Sequence, residues 1–244
     1  MVDLNGLWPW NWDWEEIWRD IQNISRTVDI FFGLGRNRYG LFNLVPGAEL
    51  ADLRYYSSLE LAENNGFVHD NGRANARGNL PDAYRHFTWM FEETSARGAR
   101  RARVLGDHNE RVDLNTLFIG APQDFILARI DLDSIKDLWN NSAGIELGSC
   151  PEHAGMDSEA LFWYHAAPYL SWDSVTGEPI VAQSDNPFLI LDENHVPDIL
   201  GIVPDSNGEV LAEWDQSANN IRLIDNYGVT TLCLYTREHT REPF

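Results

Sequence analysis

Lysine is almost missing from this chain: Lys136 is the only one in 244 residues. With 18 Lys and Arg against 38 Asp and Glu, the formal net charge is −20. That balance argues against a partner held through its phosphate backbone, because counterion release needs clustered cations. No nucleic-acid partner is expected, although Arg97, Arg100, Arg101 and Arg103 form one local basic cluster. The acidic excess suits a solvated surface, and it also suits a divalent cation. Cysteine is scarce too. Cys150 and Cys233 form no CxxC pair, which argues against a thiolate zinc site. Two readings of them stay open, a pair of free thiols or one disulfide in an oxidising compartment. No window approaches ~18 uninterrupted apolar residues, so no transmembrane helix is expected. The motifs Gly-x-Ser-x-Gly and HExxH and a Gly-rich phosphate loop are all lacking, which leaves serine-based catalysis unsupported. The first residues carry neither a basic n-region nor an apolar h-region. A cleavable signal peptide is therefore not expected. The protein is expected to stay cytoplasmic until a specialised secretion system or a carrier exports it.

Hydrophobic content of 43% marks a globular chain. Trp8, Trp10, Trp12, Trp14 and Trp18 crowd the first twenty residues, and Ile17, Ile21, Ile24 and Val28 follow at helical spacing. Residues 1–32 thus read as a Trp-rich arm and helix. It serves either as a clamp docked on the core or as an interfacial anchor for peripheral contact with a membrane or a partner. Ala48 to Asn64, Pro81 to about Ser95, Ala99 to Arg111, Leu132 to Leu147 (closed by Gly148) and Ser158 to Ala167 read as helices. Residues 69–81 form a long polar loop, a length often tied to function. From Trp172 the character changes. Residues 178–182, 188–191, 208–214, 220–224 and 230–235 read as short strands, with turns at Asp192-Glu-Asn, Ser206-Asn-Gly and Asp225-Asn-Tyr-Gly. The expected fold class is α+β, with a mainly α-helical body over about residues 15–170 and a small β-rich C-terminal region. The expected division is an arm at 1–32, a helical domain carrying the chemistry at 33–170 and the β-rich region at 171–244.

Three polar clusters interrupt the apolar helical stretches: Asp82-Ala-Tyr-Arg-His86, Asp107-His-Asn-Glu110, and Asp137-Leu-Trp-Asn-Asn-Ser-Ala-Gly144. Burying such groups costs a few kcal/mol each unless they find partners, so the clusters are expected to converge. On a helix, Asp82, Arg85, His86, Trp89 and Glu93 share one side. Asp82 can fix the tautomer of His86 and free its other ring nitrogen for a metal or for general-base work. His108 with Asp107 or Glu110 makes a second imidazole–carboxylate pair. Asp137, Asn140, Asn141 and Gly144 line a second helical face, with Ile135, Leu138, Trp139 and Ile145 opposite. A glycine inside a helix costs ~1 kcal/mol relative to alanine, which suggests a close approach by another element. Amides beside carboxylates and imidazoles can complete a cation shell, or they can place water and stabilise an oxyanion. His69-Asp70-Asn71 reads more simply as a turn, and His153, His165, His195 and His239 as structural.

Together these motifs resemble an uncharacterised bacterial domain family with the pattern Asp-Ala-Phe/Tyr-Arg-His-x-x-Trp, Asp-x-His-Glu and Met-Asp-Leu-x-Asn-Asn-x-x-Gly. That family occurs in secreted, cell-wall-associated and polymorphic-toxin-like proteins. The likeness covers about residues 65–150. It departs at Asn109, in a second motif that sits closer to the first than the pattern has it, and at Lys136, where the family carries Met. The resemblance implies a delivered bacterial effector with an immunity protein or a secretion carrier as partner. The expected activity is hydrolysis of a cell-envelope substrate: phospholipid, a lipid-linked wall precursor or peptidoglycan. His86, His108, Asp137 and Arg85 are the expected catalytic groups, and Asn140, Asn141 and Trp89 the substrate-binding ones. Asp82, Glu110 and Asp107 are the expected ligands of a divalent Ca, Mg or Zn ion. The rival expectation is a non-catalytic binding or structural module, such as a phage or secretion-apparatus component, whose polar clusters form a buried hydrogen-bond network.

Overall fold

The computed structural model describes residues 48–110, 126–183, 186–215, 220–233 and 239–242. The expected arm at 1–32 lies outside them. Helix α1 spans Ala48–Asn64, α2 Leu80–Arg97, α3 Ala99–Glu110, α4 Leu132–Ser149, α5 Ser158–Ala166 and α6 Val196–Leu200. Strand β1 spans Ile126–Asp131, β2 Leu170–Trp172, β3 Pro179–Val181, β4 Glu209–Asp215, β5 Asn220–Asp225, β6 Gly228–Cys233 and β7 His239–Glu242. The α+β class is as expected, a helical body followed by a C-terminal antiparallel sheet. None of the described helices is long and apolar enough to cross a membrane.

The sheet recruits one strand from the body. Its order is β1-β4-β5-β6-β7, antiparallel throughout, with Asp131 opposite Glu209 and Ile130 opposite Val210. The chain passes from β1 straight into α4, and Asp131 caps that helix by accepting from the Ser134 N–H at 2.8 Å. One face of α4 then packs on the sheet. Ile135, Leu138 and Trp139 join Ile130, Val210, Ala212, Ile221, Leu223 and Leu232 in one buried cluster. The second core lies among the helices, where Phe87, Phe91, Ala143, Leu147 and Phe162 meet. Helix α4 is therefore shared by both cores, and its polar face is turned onto α2.

Two expected elements differ. Residues 188–191 form no strand, although Leu189, Ile190 and Leu191 are fully buried. Side chains satisfy their backbone instead: Tyr169 Oη accepts from the Phe188 N–H at 3.0 Å, and Gln183 Oε1 from the Leu191 N–H at 2.8 Å. Asp192 to Asn194, expected as a turn, leads into a single 3-10 turn over Glu193–His195. Gly148 does not close α4, which runs on to Ser149 with Cys150 as its cap. A side chain at 148 would stand 2.7 Å from the Phe91 carbonyl, so this glycine marks a helix crossing. Both cysteines are free thiols.

Candidate active site

The site starts with how α2 begins. Asn79 caps the helix and Pro81 sits in its first turn, where no N–H is needed. Gly78 takes a positive φ of 72°, and its N–H donates to Asp82 Oδ2 at 2.9 Å. Asp82 is thereby fixed and fully buried at a helix N-terminus, where negative charge is favoured. Arg85 and His86 follow on the same face.

The crossing with α4 supplies the rest. A Cβ on Gly144 would lie 2.4 Å from the Phe87 carbonyl oxygen and 3.0 Å from the Phe91 nitrogen. Only glycine permits that approach, and Gly148 repeats it one turn later. The closeness sets Asp137 and Asn141 against His86. Helix α3 closes the third side. A Cβ on its Gly106 would meet Met90 Sδ at 2.7 Å and Asn141 Nδ2 at 3.1 Å. Its Glu110 places Oε1 3.7 Å from His86 Nδ1.

The hydrogen bonds assign the tautomer of His86. Nδ1 donates to Asn141 Oδ1 at 3.0 Å, while Nε2 accepts from the Arg85 guanidinium at 2.7 Å. The imidazole is neutral, because burial and then Arg85 press its pKa down from 6.5 to about 3. Asp137 Oδ2 lies 3.1 Å from Nε2 and Asp82 Oδ1 lies 3.8 Å from it. The two carboxyl groups are pushed in opposite directions. Burial and then the Asp82 charge push Asp137 well above the usual carboxylate range, while Lys136 pulls the other way. Burial also opposes the charge on Asp82, but Lys136 and Arg85 together overcome it and keep Asp82 ionised.

Lys136 is the group that sequence reasoning missed. It is fully buried, with Nζ 2.7 Å from Asp82 Oδ2, 2.7 Å from Asp137 Oδ1 and 3.1 Å from Asp133 Oδ1. Burial works against its charge, but those carboxylates hold its pKa well above the usual lysine range. Arg77 steadies Asp133 from outside, with Nε 3.0 Å from Oδ2. The signal was present as a lone lysine flanked by Asp133 and Asp137, but it read only as a departure from the family motif.

The expected site residues divide as follows. Asp82, Arg85, His86, Asp137 and Asn141 come together, with Glu110 at the edge. Asn140 turns away, and both of its amide atoms bind Ile190. Trp89 is buried one turn along α2, and its Nε1–H has no acceptor among the described residues. Asn141 Nδ2 likewise has none among them. His108 and Asp107 fall on α3, and their side chains lie outside the described residues. The expected turn residues His69, Asp70 and Asn71 are exposed. Asp82, His86 and Asp137 bring one ligand atom each within 4.8 Å of one another and could hold a metal ion. No protein-family model, no curated protein and no solved structure matches the chain.

Proposed function

We propose that the protein is an effector-type hydrolase whose centre is the Asp82–His86–Asp137 group. One observation carries this reading. A buried imidazole holds its Nε2 3.1 Å from Asp137 and 3.8 Å from Asp82, two carboxyl groups whose pKa values the fold pushes in opposite directions, Asp82 down and Asp137 up. Such a split is how acid and base roles are assigned at neutral pH. Once Arg85 leaves Nε2 for the substrate's charged group, His86 serves as the base toward water and Asp137 as the acid. The N–H groups of Asn141 and Trp89, which have no acceptor among the described residues, are the donors for a substrate oxygen.

The same three side chains offer one nitrogen and two carboxylate oxygens. Among Ca, Mg and Zn this mixed set suits Zn best, since Ca and Mg favour all-oxygen shells. A bound ion would supply Lewis acidity and a more acidic water. Arg85 touches the same atoms and would have to turn outward, which its partly exposed side chain allows.

The acidic surface and the resemblance favour an envelope substrate and delivery as cargo, with an immunity protein or a carrier as partner. The test is hydrolysis of phospholipid vesicles, a lipid-linked wall precursor and purified peptidoglycan, each with and without Zn, Mg or Ca. His86→Ala is expected to lower the rate at least 100-fold. No activity in the wild type on any of them, or less than a tenfold loss in the variant, would overturn the reading.

A second reading is favoured by Asn140 and Lys136, whose donors are all spent inside the protein. In that case the network specifies the packing of a non-catalytic module. His86→Ala would then lower the melting temperature, and the wild type would hydrolyse nothing.

A further inference from the structure

We propose that Lys136 is the positioning residue of the Asp82–His86–Asp137 centre. It acts by taking one oxygen from each aspartate and turning the other oxygen toward His86. An ammonium has three N–H donors. Here each has its own carboxylate: Asp82 Oδ2, Asp133 Oδ1 and Asp137 Oδ1. The oxygens that Lys136 leaves on the two aspartates of the centre are Asp82 Oδ1, which Arg85 also pairs with, and Asp137 Oδ2, and these are the carboxyl oxygens that approach His86 Nε2. The division is by atom. Neither aspartate offers the same oxygen to both Lys136 and His86.

The anchoring is rigid at both ends. Lys136 rises from α4 beside Asp137 and one turn after Asp133, and it reaches across the crossing to Asp82 on α2. Asp82 is held from a third direction by the Gly78 N–H, and Asp133 by Arg77. The side chain has no exposed surface, so it is reserved for this task. Partners behind ligating side chains fix their orientation, and losing one commonly costs 10–100-fold in metal affinity. This role builds on the proposed centre, yet the two fail separately.

Because Lys136 is the only lysine, protein labelled with 13C,15N-lysine gives a single side-chain signal. At pH 7 its Nζ is expected to appear as a slowly exchanging ammonium. A signal exchanging as fast as that of free lysine overturns the proposal, and no variant is needed to see it. Lys136→Met replaces the ammonium by an apolar chain of similar length. In the folded variant, Zn2+ is expected to bind at least tenfold more weakly. The His86 imidazole 15N signals are expected to shift away from their wild-type positions, because the two aspartates no longer hold their oxygens in place beside the ring. A folded Lys136→Met protein that keeps both the Zn2+ affinity and the imidazole signals of the wild type overturns the proposal. If the wild type binds no Zn2+, the metal part of the proposed function falls, and the imidazole signals alone decide for or against Lys136. If Lys136→Met does not fold, the wild-type ammonium signal decides.

Discussion

Asn140 grips Ile190 at both of its backbone groups: Nδ2 donates to the Ile190 carbonyl at 2.8 Å, and Oδ1 accepts from the Ile190 N–H at 3.1 Å. One side chain thus does for a buried segment what a neighbouring strand would otherwise do. The clamp ties residues 188–191 to α4, on the helix whose next residue, Asn141, orients His86.

Asn140→Leu strips both partners from Ile190 while keeping the volume. Each buried group left unpaired costs about 1–3 kcal/mol. Urea denaturation is expected to show a loss of about 3 kcal/mol, with the binding of Zn2+ in the native protein little changed. Asn141→Leu should show the reverse balance, because it removes one partner of His86 and no backbone contact. A loss below about 1 kcal/mol for Asn140→Leu would contradict the clamp.

Gly144→Ala tests the crossing of α2 and α4. Alanine is the better helix former by ~1 kcal/mol, so propensity alone predicts a gain. The added methyl, however, meets the Phe87 carbonyl at 2.4 Å, and backbone cannot yield as a flexible side chain can. Overpacking of this kind costs about 1–3 kcal/mol or more. The expected net result in urea is a loss of about 2 kcal/mol, since so close a clash should outweigh the propensity gain. A more stable variant would mean that the helices stand further apart than described.

Much of this architecture was legible in the sequence, and for identifiable reasons. Helices α1 to α5 announced themselves through period and punctuation, with Pro81 and Gly98 standing where one helix starts and another is interrupted. Gly144 was read as a close approach, and its contact with Phe87 is that approach. The convergence of Asp82, His86, Asp137 and Asn141 followed from the cost of burying polar groups singly. Other features were not legible. Residues 188–191 carry the composition of a buried strand, and nothing local reveals that Asn140, 50 positions earlier in the chain, will satisfy them. Lys136 lay between apolar and acidic neighbours, where a lysine is usually solvated. Its burial depends on Asp82, 54 positions away, a partner that helical periodicity cannot supply. The split of the amide pair also needed coordinates, because adjacent residues on a helix point about 100° apart.

The buried imidazole sets a pH dependence. In the fold His86 stays neutral down to about 3, while an ordinary histidine takes up its proton near 6.5. Between those values the unfolded chain binds a proton that the native protein refuses. The contribution is therefore present above about 6.5 and is lost as pH falls toward 3. Each pH unit in that window costs about 1.4 kcal/mol. His86→Gln has no proton to take up, so its stability should fall less steeply by that amount per unit. Urea titrations of both proteins at pH 7, 6, 5 and 4 make the comparison. Parallel curves would mean that His86 is protonated in the native state.

The two aspartates facing His86 should respond oppositely to removal of their charge. Asp82 is ionised in the fold, and its carboxylate serves Lys136, Arg85 and the Gly78 N–H. Asp82→Asn keeps one acceptor and turns an NH2 group toward a cation. Breaking a buried charge pair on one side typically costs about 3–5 kcal/mol, and a loss of that size is expected. Asp137 is pushed up instead, by burial and then the Asp82 charge, so between its unfolded and folded values the native protein holds a proton that the unfolded chain gives up above 3.8. Stability from a raised carboxyl is present below that value and is lost as pH rises, so at pH 7 Asp137 weighs against folding. Asp137→Asn removes this penalty. Its Oδ1 can still accept from Lys136, and its Nδ2 stands where Asp137 Oδ2 faces His86 Nε2. The variant should therefore match or exceed wild-type stability while losing hydrolysis, because an amide cannot release the proton. Thermal melts at pH 7 beside the vesicle, precursor and peptidoglycan assays give both readouts. Equal destabilisation by the two substitutions would show that both carboxyl groups are charged around His86.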